Sequence, residues 1–191
     1  MRNKSHQIGI IAMGGGASSI LKDILEKESH FSSVSINRDK LSLKQSNAEL
    51  KLFVEGDKPA HFPKAIEQHR LKIKEYLRNT DALVLLSCLG GITGSHTIQP
   101  LAKVVQDLGI KTVAVVTLPF AFEGKERMAV AQNTLDSLTF LDMPIVIIHN
   151  QSLVSLAKPN FSLADLFQIQ NADIAELINN YSFEDELNRD E

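Results

Sequence analysis

Tryptophan is missing from this 191-residue chain and cysteine occurs once, at Cys88. A lone cysteine precludes an internal disulfide and fits a reducing, cytoplasmic setting. Excess positive charge is also missing: 20 basic side chains face 23 acidic ones, for a net charge of −3, which argues against a nucleic-acid surface. No apolar run is long enough to cross a bilayer, so no membrane span is expected. The charged and then apolar N-terminus could pass for a signal peptide, but its apolar part is short and runs into glycines, so it reads as a first buried strand. The six histidines are scattered without the His/Cys spacing of a zinc site, and no protein metal centre is predicted.

Short and nearly unbroken apolar runs remain at residues 8–13, 82–87, 112–117 and 144–149, with weaker ones at 34–37 and 50–54. Such runs are the pattern of parallel strands covered on both faces. Amphipathic helical patterns separate them at 19–27, 63–78, 101–108 and 126–138, and a longer one spans 163–180 behind a Ser162 cap. Strand alternating with helix predicts an α/β fold, a doubly wound, Rossmann-like parallel sheet with helices on both faces. One domain over residues 1–180 is expected, followed by a tail at 181–191 in which residues 183–191 carry five acidic side chains and one arginine.

Three strand ends carry candidate chemistry. After the first strand comes Gly14-Gly15-Gly16-Ala17-Ser18-Ser19. Glycines allow a sharp turn and close approach of a ligand, and a following helix offers free N–H groups and the positive end of its dipole to an anion. No GK[ST] follows, which excludes a Walker A loop. The second is Ser87-Cys88-Leu89-Gly90-Gly91-Ile92-Thr93-Gly94-Ser95, where Thr93 and Ser95 add hydroxyls that can donate to phosphate oxygens. Two such loops at two strand ends are far more specific than one. The third runs over residues 117–128, where Glu123 can accept from ribose hydroxyls and Arg127, one helical turn on, can reach sugar or phosphate. Read alone, that last loop is better taken as a helix start with a favourable glutamate in its first turn and an exposed arginine. An NAD-type arrangement with Asp39 on a ribose is a competing reading, but it gives the second glycine loop no role.

Together the three loops resemble the FtsZ/tubulin family. Gly90-Gly91-Ile92-Thr93-Gly94-Ser95-His96 stands where FtsZ has its GGGTGTG signature, and residues 14–18 match the family's first glycine run. The stretch from Asp107 to Met128 is similar almost residue for residue, residues 147–153 resemble the family's strand-then-turn segment, and Asn37-Arg38-Asp39 sits where the family has Asn-Thr-Asp. The resemblance spans roughly residues 8–180 and is strongest over 81–156.

This resemblance implies GTP or GDP as ligand, accompanied by Mg²⁺. It carries over Gly14, Gly15, Gly16, Ala17, Ser19, Gly90, Gly91, Ile92, Thr93 and Gly94 to the phosphate region, Glu123 and Arg127 to the ribose, Asn150 to the nucleotide's vicinity, and Phe167 and Asn171 to the base. Self-association, or binding to FtsZ, is implied with it, in cell division or filament assembly. Three departures bear on turnover. Ile92 and His96 replace signature glycines, and a side chain at Ile92 crowds the phosphates if that position needs positive φ. Glu55-Gly56-Asp57-Lys58-Pro59 replaces the family's glycine-rich loop near the terminal phosphate, where Glu55 and Asp57 would repel it. Residues 179–185 do not match the acidic loop by which FtsZ completes its neighbour's GTPase site, and the family's second domain has no counterpart before Glu191. Weak or partner-dependent GTP hydrolysis is therefore expected. The alternative is a non-catalytic module that binds or caps FtsZ filaments.

Overall fold

The computed structural model describes residues 7–27, 30–156 and 160–180; the acidic tail at 181–191 lies outside them. Six strands form one wholly parallel sheet: β1 (Ile8–Met13), β2 (Ser32–Asn37), β3 (Leu50–Phe53), β4 (Ala82–Cys88), β5 (Lys111–Leu118) and β6 (Ile145–His149). Their spatial order is β3-β2-β1-β4-β5-β6. The chain therefore winds outward from β1 in one direction, returns to β4 on its other side, and winds outward again. The reversal lies between β1 and β4, which pair from Ile8 with Ala82 to Met13 with Ser87.

Period-2 alternation splits each inner strand between two cores. Ile11, Met13, Leu83, Leu85, Ala114 and Val116 face one side, where they join Phe62, Ile66, Ile73, Leu101 and Leu135. These come from α3 (Phe62–Gln68), α4 (Arg70–Tyr76), α5 (Ile92–Gln106) and α6 (Lys125–Leu138). Ile10, Ala12, Val84, Leu86, Val113 and Val115 face the other side, against Ile20, Leu21 and Ile24 of α1 (Gly14–Lys27) and Ile174 and Ile178 of α8 (Leu163–Asn180). Two short helices, α2 (Lys40–Gln45) and α7 (Asn150–Leu156), are the other α-helices among the described residues.

All six expected strands form, and both glycine-rich segments differ from expectation in the same way. Helix α1 starts at Gly14 rather than at residue 19, and α5 starts at Ile92 rather than at residue 101, so these glycines, Gly90 excepted, belong to first helical turns and their caps. Burial overrides the low helix propensity of glycine here, because both turns are wedged against strand ends. The expected helix at 63–78 divides at His69, whose ring Nε2 lies 2.8 Å from the carbonyl oxygen of Phe53. Helices α2 and α7 are too short to show a periodic pattern. Ser162 caps α8 as expected: its hydroxyl accepts from Asp165 N–H at 3.2 Å while the Asp165 carboxylate accepts from Ser162 N–H at 2.7 Å.

Where the two windings meet, there is no room for a side chain. A Cβ on Gly94 would lie 2.6 Å from Ser87 Oγ, 2.8 Å from the Cys88 carbonyl oxygen and 3.2 Å from that of Met13. The first turn of α5 thus rests directly on the ends of β1 and β4. Gly94→Ala is expected to lower unfolding free energy by about 1–3 kcal/mol through overpacking, measured as a lower urea midpoint at unchanged m-value. Cys88, the last residue of β4, has its thiol pushed up to about 11, chiefly by burial. Its native alkylation rate at pH 7.5 should be on the order of 100-fold below that of a free cysteine and return to the free rate in denaturant.

Candidate functional site

The reversal in strand order places α1 and α5 on opposite faces of the sheet, with their N-termini converging at its carboxyl edge. Gly14 adopts φ +85°, and a Cβ there would lie 3.1 Å from the Gly94 backbone nitrogen. Two sets of unpaired helix N–H groups, and two positive dipole ends, therefore face the same space. That space is a cavity of about 710 Å³, within the range of small-molecule sites.

Thirteen of the fifteen residues expected at the site line this one cavity: Gly14, Gly15, Gly16, Ser19, Gly91, Ile92, Thr93, Gly94, Glu123, Arg127, Asn150, Phe167 and Asn171. Ala17 does not. It is fully buried and packs into the core between α1 and the sheet. Gly90 does not line it either. It makes the turn behind, at φ +92°, where a Cβ would lie 2.6 Å from the Pro119 side chain. Its N–H donates to Ser95 Oγ at 2.8 Å, so that hydroxyl secures the turn and does not border the cavity.

The concern over Ile92 and His96 resolves differently for each. Among the described residues Asn47 alone, besides glycines, has positive φ. Ile92 is therefore an unstrained first helical residue whose side chain forms part of the cavity wall. His96 points away. Its ring stacks on Phe62 of α3 with centroids 6.0 Å apart, and burial lowers its pKa, which keeps it neutral at pH 7.

Glu123 and Arg127 form a positioned pair. One carboxylate oxygen accepts from Phe120 N–H at 2.9 Å and the other accepts from Arg127 Nη1 at 2.6 Å. The backbone bond fixes the glutamate, and the glutamate holds the guanidinium at the cavity. On the far wall, contributed by α8, Phe167 meets Phe120 edge-on at 5.5 Å between centroids. Asn171 Nδ2 donates to Asp23 Oδ2 at 2.6 Å. Asn150 and Gln170 are nearly fully buried, line the cavity, and each hold a side-chain oxygen without a partner. Buried acceptors normally find donors, so both oxygens mark places where a ligand can supply one.

Sequence reasoning missed Asp23, Gln168 and Gln170, which also line the cavity. The i, i+4 spacing of Ser19 and Asp23 was the available signal: once Ser19 faces the site, so does Asp23. Asp39 is elsewhere. Its carboxylate caps α2 by accepting from Ser42 N–H at 2.7 Å, which lowers its pKa, and it does not line the cavity, so the NAD-type reading loses its ribose ligand. Residues Glu55, Gly56 and Asp57 border a separate cavity with Arg38, His61 and Lys64.

Comparisons with known proteins agree with this geometry. Residues 7–158 match the family described as Tubulin/FtsZ family, GTPase domain. The cell division protein FtsZ of Coxiella burnetii is 34% identical over 175 residues, covering 86% of this chain and 45% of that protein. FtsZ of Aquifex aeolicus is 31% identical over 172 residues, covering 85% and 47%. The chain thus spans about half the length of these curated relatives. Among solved structures, an empty FtsZ dimer from M. jannaschii superposes with a TM-score of 0.81 at 26% identity, over 93% of this chain and 54% of that one. CetZ1 from Haloferax volcanii, solved as a GDP-bound monomer, shares the fold with a TM-score of 0.77 at 16% identity, over 89% and 58%. By sequence and by fold, the chain belongs to the tubulin/FtsZ family, of which it carries the GTPase domain.

Proposed function

We propose that this chain binds guanine nucleotide, GTP or GDP, in the cavity at the reversal point, and that hydrolysis of GTP is weak or depends on a partner. The observation that carries the reading is the convergence of two glycine-bearing helix N-termini on one space that also holds Arg127, Phe167 and unpartnered buried amide oxygens. The helix starts and Arg127 suit phosphates. Phe167 offers an aromatic face, 39% exposed, to a base. Thr93, in the first turn of α5, adds a hydroxyl at the phosphate end.

Among the described residues no group of three or more His, Cys, Asp or Glu side chains could cage a metal. Mg²⁺ would therefore travel with the nucleotide, held chiefly by phosphate oxygens and water, which is its usual mode. It would neutralise phosphate charge there.

The limit on hydrolysis follows from which groups are free. Attack by water on a terminal phosphate needs a residue that orients the water. Of the described acidic residues lining the cavity, Glu123 is engaged by Arg127 and the backbone, and Asp23 stands nine residues along α1 from the helix start that faces the phosphates. Residues 55–57 border a different cavity. On this reading a second copy of this chain or an FtsZ-type subunit supplies the water-orienting group. The lack of a free described carboxylate at the helix starts also favours a second reading, in which the chain binds or caps FtsZ filaments without turning over nucleotide. Co-sedimentation with FtsZ and measured filament lengths separate the two, since a capping module shortens filaments even when loaded with GDP. In either case the setting is FtsZ-type filament assembly, which links the chain to cell division.

Isothermal titration with GTP and Mg²⁺ is expected to show one site, and no heat at about 1 mM nucleotide would overturn the proposal. Gly91 has ordinary extended geometry and nothing within 4 Å of where a Cβ would sit, so Gly91→Val should fold normally yet weaken GTP binding at least about tenfold by filling the cavity floor. Phosphate release per molecule should be at background when the chain is dilute and rise with chain concentration if a second copy supplies the missing group.

A further inference from the structure

The base end of the cavity is built from α1 and α8, and its polar equipment is unusual. Asp23 lies one turn beyond Ser19 on the face of α1 that borders the cavity, with its side chain half-buried. Asn171 donates once to Asp23 Oδ2, which leaves Oδ1 and a second lone pair of Oδ2 for further donors. Gln170, 2% exposed, adds an acceptor oxygen that has no partner. The wall is therefore rich in acceptors, and hydrogen-bond accounting requires a ligand edge rich in donors. Helix α8 supplies no carboxylate of its own to this wall: Asp173 is exposed and does not border the cavity.

Resting on the guanine-nucleotide reading, we infer that Asp23, reaching in from α1, is the residue that selects guanine over adenine. Guanine presents N1–H and the N2 amine side by side, two donors at the spacing of one carboxylate. Adenine presents an acceptor, N1, and a C–H at the same places. Opposite adenine the Asp23 carboxylate would face a lone pair and stay unpaired, which costs binding energy in a half-buried site. Asn171 acts as the positioning residue: its amide holds one oxygen of Asp23 and so sets the direction of the other.

The chemistry of the edge supplies a test with its own signature. Binding of the Mg²⁺ complexes of GTP, ITP, XTP and ATP is measured by titration calorimetry for the wild-type chain, Asp23→Asn and Asp23→Ala, with thermal unfolding and circular dichroism confirming that each variant is folded. The wild type should prefer GTP to ATP by at least about 100-fold. ITP, which lacks the 2-amino group, should fall between them. In Asp23→Asn the amide can donate to the C2 oxygen of xanthine while its own oxygen accepts from N1–H. GTP affinity should therefore fall roughly 10- to 100-fold while XTP affinity rises. In Asp23→Ala the preference for GTP over ATP should disappear without any gain of XTP. Wild-type GTP affinity in Asp23→Asn would overturn the inference, as would an equal loss for all four nucleotides, which is what a purely structural partner of Asn171 would give. If the wild type binds ATP as well as GTP, or binds neither, the guanine reading fails before Asp23 is reached.

Discussion

The first turn of α5 lies against the ends of β1 and β4 with only a hydrogen atom of Gly94 between helix and strands. That contact sets everything at the carboxyl edge of the sheet. It brings the start of α5 within a few ångströms of the start of α1, so two helices on opposite faces of a sheet present their N–H groups to one volume. A methyl group at this point would separate them. The doubly wound order creates the opening between β1 and β4, and the glycine lets the backbone occupy it.

From this contact the cavity acquires a polarity along its length. Donors gather where the helices begin, helped by the guanidinium of Arg127, which Glu123 holds in place. Acceptors gather where α1 meets α8: the Asp23 carboxylate and the unpartnered oxygen of Gln170, with that of Asn150 on the strand side. A ligand that is anionic at one end and donor-bearing at the other satisfies both groups, and a uniformly charged one does not. The two departures in the signature turn matter less than their chemistry suggests, because Ile92 has ordinary helical geometry and His96 turns to Phe62.

Much of this was legible in the chain. Nearly unbroken apolar runs made β1, β4, β5 and β6 readable, β2 and β3, interrupted by serine and lysine, showed more weakly, and glycine clusters after β1 and β4 marked the carboxyl edge that holds the candidate site. Helix boundaries were less readable. Glycine and serine have low intrinsic helix propensity, so residues 14–18 and 92–95 look like loops until packing against the strand ends makes their first turns. The break at His69 coincides with a hydrogen bond to Phe53, sixteen residues away, which no local pattern reports.

Local order along the chain was therefore enough to name the class of sheet, the edge that carries the site and most of the residues around it, because strand burial and turn chemistry are short-range properties. Side-chain direction was not. Whether Ala17 faces core or ligand, whether Ser95 meets a phosphate or a backbone amide, and whether His96 crowds the site are settled by which neighbours each helix packs against. The pairing of Asp23 with Asn171 joins positions 148 residues apart. Only the packing of α8 onto α1 brings them together.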